Sequence, residues 1–431
     1  MSKVETAAGV GLRRELGRWD LTAIGVNQVI GGAIFLVPSE IAWRLGGWSL
    51  LAYVLAGLAS MAVALCFAEA GSRFETTGGP YLYTRAAFGP FVAFEVGWML
   101  WVTRVVSLAS VLNGIALALG YYLPALAGGA GRIGVIVGLV CLVTAINARG
   151  IRQSSWAVNA FTIGKLMPLG VLIGVGLFHL DAGRMARPVV ITLDNVTATA
   201  LLLIFTFGGY DTVPIPAGEA REPRRHVPFA LVATLVVITA VFVAAQAVAL
   251  SVLPDPKASA TPLADAAAAM LGAGGALLIS IGAIVSMIGN NVGGLLTGSR
   301  LLYALAEHGE LPRPFARIHP EFRTPVNAVV FSAAVCLALA LSGSFVVLAT
   351  ASAVARLVTY TGTCAATLAL RRPGAGVAPA AYTAPLGPVV PIAGIVTSLA
   401  IIAGASRQQL IGGGIALLIG GTFFVIARRG R

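Results

Sequence analysis

Two glycine pairs fall where an apolar chain has least use for them. Gly31-Gly32 interrupts the run Val29-Ile30-Gly31-Gly32-Ala33-Ile34-Phe35, and Gly208-Gly209 interrupts Phe205-Thr206-Phe207-Gly208-Gly209-Tyr210-Asp211. The second pair is followed by Pro214 and Pro216. Paired glycines weaken a helix, and prolines remove donors from it. A helix broken there would expose carbonyls at the end of its first half and N–H groups at the start of its second. The N–H end suits a carboxylate and the carbonyl end an ammonium. A zwitterionic α-amino acid carries both groups a few ångström apart, so such a site could hold its backbone with few charged side chains. The plainer alternative is close helix packing, for which small residues also serve.

Ionisable residues inside apolar runs are the second signal, because charge is costly there. Lys165 sits in Thr162-Ile163-Gly164-Lys165-Leu166-Met167-Pro168, too central to reach water easily. A desolvated lysine can cycle a proton or supply a fixed cation; the alternative is a structural lysine held by backbone carbonyls. Asp211 follows the second glycine pair and suits either proton coupling or an N-cap. Glu95 and Arg104 share one run nine residues apart. At about 100° per residue they lie on opposite helix faces, so each needs another partner, and Arg104 reads as an anchor between helices. Arg356, Asn290 and Asn291 also lie in apolar runs, without a role that sequence can fix, and Glu219 reads as part of a network with Arg221 to Arg225.

The elements that must position these residues follow from composition. Of 431 residues, 58% are hydrophobic and 11% charged, against about 45–50% and 25% in ordinary globular chains. That excludes a soluble enzyme, a disordered chain and a coiled coil. The runs are long and continuous rather than alternating, so the fold class expected is all-α and multi-span, not a barrel. Twelve apolar spans are read at 21–42, 47–70, 89–121, 131–148, 155–178, 197–219, 227–253, 270–303, 326–342, 344–370, 387–405 and 408–427. The two glycine pairs fall in the first and sixth, the pattern of broken helices at corresponding positions in two halves. With the N-terminus inside, 20 of the 29 Lys+Arg fall in inner segments, 6 in outer loops and 3 (Arg104, Lys165 and Arg356) within spans. This asymmetry predicts cytoplasmic termini, and it explains the net charge of +12 without a nucleic-acid partner. The first 20 residues are polar, with no cleavable signal pattern. Four cysteines within apolar runs and four histidines read as loop residues give no metal or disulfide framework.

The residues resemble the amino acid–polyamine–organocation (APC) superfamily of secondary transporters over nearly the whole chain. Ile30-Gly31-Gly32-Ala33-Ile34-Phe35 is similar to that family's first-helix segment, with Ala33 where glycine is usual. Gly78-Gly79-Pro80-Tyr81-Leu82-Tyr83-Thr84-Arg85, Phe207 to Asp211 leading into Gly218 to Pro228, and Ser299 to Ala306 with Leu311-Pro312 extend the likeness. It implies a leucine-transporter fold: a cytoplasmic segment 1–20, a first inverted repeat 21–178, a second 197–370, and peripheral helices 387–427. It also implies that Ile30, Gly31, Gly32, Ala33, Phe205, Phe207, Gly208 and Gly209 meet the substrate, with Phe205 as an aromatic gate. Similar transporters carry a lysine at the position of Lys165, facing the broken first helix. The function so implied is secondary amino acid transport by alternating access in the cytoplasmic (inner) membrane. Proton-coupled uptake of neutral amino acids is the first expectation. Exchange and cationic amino acid or polyamine transport are the alternatives. The partners expected are an amino acid, H⁺ and the lipid bilayer; no cofactor is expected, and the oligomeric state is open. An intramembrane protease would need two carboxylates sharing a site or a histidine at depth, neither of which the sequence suggests. HExxH and the phosphate-binding GxxxxGK[ST] are absent, and no channel filter repeat occurs.

Overall fold

The computed structural model describes residues 16–75, 78–149, 155–215, 217, 220–255, 257, 259–374 and 376–429. Lys3, Arg13, Arg14, Arg152, Pro216, Gly218, Glu219 and Arg431 lie outside the described residues, so the network suggested for Glu219 is not addressed.

The helices, in order, are α1 (Arg18–Val29), α2 (Ala33–Leu45), α3 (Trp48–Gly71), α4 (Pro80–Phe88) and α5 (Pro90–Gly120). Then come α6 (Gly129–Arg149), α7 (Ser155–Gly176), the single turn α8 (Ala182–Met185), α9 (Leu193–Phe207) and α10 (Pro223–Val252). The last five are α11 (Pro262–Glu307), α12 (Val326–Ser342), α13 (Phe345–Leu370), α14 (Val389–Ala403) and α15 (Arg407–Arg429). Seven of them (α3, α5, α6, α10, α11, α13 and α15) are long and apolar enough to cross a membrane. The pair α1 and α2, bent by 52° at a short break, makes an eighth, and α7, α9, α12 and α14 contribute shorter apolar helices. These elements fall in turn on the twelve spans read from sequence, including the division between α12 and α13 at Gly343.

Local chemistry sets the ends. Proline stands in the first turn of α4, α5, α10 and α11, where its missing N–H costs no hydrogen bond. The Thr192 hydroxyl accepts from Asn195 N at 3.2 Å and caps α9. Within the bundle small residues set the approach of the helices. A Cβ on Gly57 of α3 would lie 2.6 Å from Thr239 Oγ1 of α10, and one on Gly25 of α1 2.4 Å from Thr234 Oγ1. Helix α3 packs on α10, α5 on α11 and α13, and α6 on α12.

Three local expectations need correction. The second half-helix expected after the break in span six is not seen among the described residues: α9 stops at Phe207, and a 3-10 turn, Tyr210–Thr212, follows. Pro214, soon after the turn, has no N–H to donate to a helix continuing from α9. Helix α11 begins eight residues before the expected span at 270 and kinks at Gly272, whose φ of 68° only glycine takes readily. The histidines are not all in loops: His226 lies in the first turn of α10.

Candidate functional site

The break between α1 and α2 leaves the last carbonyls of α1 without helical partners, and side chains of α7 and α11 fill them. Lys165 Nζ, on α7 and almost fully buried, donates to Asn27 O at 3.1 Å and Ile30 O at 3.2 Å. Ser286 Oγ of α11 donates to Ile30 O at 3.0 Å and Gly31 O at 3.1 Å. Asn290 Nδ2 donates to Gln28 O at 2.9 Å. The Lys165 amine therefore occupies the carbonyl end of the first break, where a bound cation would otherwise be favoured. Ser286 was missed in the sequence because a lone serine in a Gly-rich helix carries no signal.

The second break lies directly against the first. Gly209 has φ 137° and ψ −30°, and a Cβ there would sit 2.7 Å from Gln28 C and O. Only glycine lets the two breaks touch. Gly31 and Gly32 face Asn290 and Met287 of α11, with a Cβ on Gly32 reaching 2.9 Å from Met287 Sδ. At Gly208 the neighbour is charged: an added Cβ would fall 2.2 Å from Arg356 Cζ. Ile30, Gly31, Gly32, Ala33, Phe205 and Gly209 are thus all brought to one buried locus with Lys165, and Gly208 lies at its half-buried edge. Phe205 stands edge-on to Phe345 of α13, ring centres 5.9 Å apart. The Phe207 ring instead packs with Tyr53 and Phe242, at 6.4 and 5.2 Å, which leaves its backbone rather than its ring at the break.

Asp211 joins two elements that sequence reading kept separate. Its Oδ2 lies 2.9 Å from Arg104 Nη2 of α5, and its Oδ1 3.2 Å from Arg356 Nη1 of α13. Oδ1 also accepts from Gly209 N at 3.1 Å. That bond runs backward along the chain, so Asp211 is not the N-cap weighed for it. Arg104 does anchor helices, as expected, and Arg356 lies in the same cluster rather than near a helix end. Spacing along one helix could not reveal this triad, since its members come from three elements more than a hundred residues apart. Glu95 belongs elsewhere: it faces Gly420 and Gly421 of α15. Asn291 bonds its own helix at Met287 O.

A second ionic knot binds one end of the bundle. Glu69 of α3 takes Arg371 Nε at 2.7 Å and Nη2 at 2.5 Å, and accepts from Ala384 N at 2.9 Å. Arg224 of α10 donates to Ser72 O at 2.9 Å and to Pro379 O. A carboxylate in the apolar stretch 47–70 was the signal for Glu69, and it was overlooked.

Two helix breaks thus abut, and the buried Lys165 amine closes one of them. A family profile described as amino acid permease matches residues 16–422. The chain belongs to the amino acid permease family. The permease, and with it the APC superfamily resemblance, has relatives of similar length. It is 27% identical over 420 residues to the serine/threonine exchanger SteT of Bacillus subtilis (strain 168), covering 95% of each chain. It is 28% identical over 397 residues to the methylthioribose transporter of the same organism, covering 88% of this chain and 86% of that one. A third relative, the cationic amino acid transporter 9, chloroplastic, of Arabidopsis thaliana, is 31% identical over 337 residues, which are 74% of this chain and 59% of that one. The permease is a multi-span membrane transporter of amino acids and not an enzyme.

Proposed function

We propose that the permease takes up amino acids across the cytoplasmic membrane by alternating access, coupled to protons through Lys165. The observation that carries the proposal is Lys165 Nζ on the carbonyls of Asn27 and Ile30. A protonated amine holds those carbonyls as a metal ion would; a neutral amine makes weaker bonds and frees α1 to move against α7. Proton loss and rebinding at one atom would then bias the position of the broken helix, which is the requirement for coupling. The amino-acid carboxylate would meet the first N–H groups of α2, and Phe205 would close over the substrate. In this reading residues 21–178 and 197–370 form the two inverted repeats, which the pairing of α3 with α10, α5 with α11 and α6 with α12 supports. Both termini would face the cytoplasm, as the distribution of basic residues argues.

Asp211 is assigned a structural rather than a proton-carrying part, because both its oxygens are committed to guanidiniums. That commitment also argues against cationic amino acids and polyamines, since among the described residues no carboxylate other than Asp211 stands at the breaks to meet a second ammonium. The name of the plant relative is therefore not carried over. Exchange is a second reading, favoured by the name of the SteT relative.

The test is uptake by purified permease in liposomes, with a panel of labelled amino acids and amines, with and without a pH gradient and internal substrate. Accumulation driven by an inward proton gradient is expected, and indifference to every amino acid would refute the function. Uptake that needs internal substrate but no gradient would select exchange instead.

A further inference from the structure

We infer that the permease's preferred substrate carries a second carboxylate, as an acidic amino acid does, and that Arg356 binds it beside Gly208. The inference rests on the amino acid reading above and replaces the expectation of a neutral substrate.

Charge is the first argument. Arg104, Arg356 and Lys165 are each at most 5% exposed and gather at the two breaks; among the described residues Asp211 is the one acidic residue there, and it pairs with the two arginines. A buried guanidinium without a full anionic complement is costly, so an arrangement with excess positive charge is built to receive an anion. A zwitterion brings no net charge and leaves the excess unchanged. A substrate of net charge −1 reduces it.

Geometry supplies the second. The Arg356 guanidinium lies on the half-buried Gly208, within the space an added Cβ would enter. Its Nη1 is engaged by Asp211. Along its other edge, Nη2 makes only a 3.5 Å contact to Ser107 Oγ, and Nε has no hydrogen-bond partner among the described residues. Nε and Nη2 form the fork that grips a carboxylate with two parallel bonds. Among the described residues no carboxylate closes that edge, which has the Tyr360 hydroxyl nearby, and the guanidinium itself packs on Gly208 at the second break. Arg104 also lacks hydrogen-bond partners at Nε and Nη2 among the described residues, its Nη2 lying 2.9 Å from Asp211 Oδ2 as an ion pair; the contact with Gly208 is what singles out Arg356.

The experiment compares acids with their isosteric amides, L-glutamate against L-glutamine and L-aspartate against L-asparagine, as competitors in liposome uptake and as ligands that raise the thermal midpoint of the purified, full-length permease. One acid is expected to bind about tenfold or more tightly than its amide, the range for a charge-assisted bond to a buried partner. Arg356→Gln is expected to abolish that preference, and Arg356→Lys to restore part of it. Amides binding as well as acids in the unmodified protein would overturn the inference while leaving amino acid transport standing. That comparison decides the matter even if the Arg356 variants do not fold. Failure of every amino acid, acidic or neutral, to bind would overturn the transport reading itself.

Discussion

Asp211 is the residue on which the interior charges turn. Removing it by Asp211→Asn strands two guanidiniums in a membrane-buried core, and loss of one partner from a buried ionic pair costs about 3–5 kcal/mol. Arg104→Met alone leaves Asp211 with Arg356 and is expected to cost less. The double variant should recover part of the Asp211→Asn loss, because it buries one uncompensated charge instead of two. Thermal unfolding of the four proteins in detergent checks this; strictly additive losses would mean that the residues do not act as one cluster. Ser286→Ala removes a donor shared by the Ile30 and Gly31 carbonyls. A cost of about 1–3 kcal/mol is expected for buried acceptors left short of a partner, read as a lower thermal midpoint.

At the scale of elements, the account depends on two broken helices that touch. Gly209→Ala must adopt φ 137° and push a methyl into the Gln28 carbonyl. Strain of this kind costs about 1–3 kcal/mol before the clash is counted. The variant is expected to reach the membrane with its transport lost, whereas Gly164→Ala, with open space around it, should transport normally. Equal transport by both would remove the case for contact between the breaks. The glycine pairs and Lys165 were legible in the sequence because membrane helices tolerate neither without a reason. Span lengths were equally legible, since hydropathy follows directly from the bilayer. The irregular course after Gly209 was not, because apolar residues such as Val213 and Ile215 continue the hydropathy past Phe207, where the helix ends. Nor was the joining of Arg104, Asp211 and Arg356, which depends on how α5 and α13 pack around the second break. Tertiary contact between distant charges leaves no periodic trace in one chain.

Across the whole molecule the basic residues predict one orientation. In a background free of native cysteine, Arg372→Cys should react with a membrane-impermeant reagent only from the cytoplasmic side, and Arg407→Cys only from the outside. The reverse pattern would invert the topology and with it the direction assigned to proton-driven uptake. Alternating access joins these scales: α1 and α2 must move against α7 and α11, and the Lys165 bonds span that divide. The most direct test measures uptake of a transported amino acid into liposomes under an inward proton gradient, by the unmodified permease and by Lys165→Ala. Gradient-driven accumulation by the first, with the second indifferent to the gradient but still binding substrate, is the expected result. Full gradient-driven accumulation by Lys165→Ala, or dependence of the unmodified protein on sodium, would contradict it.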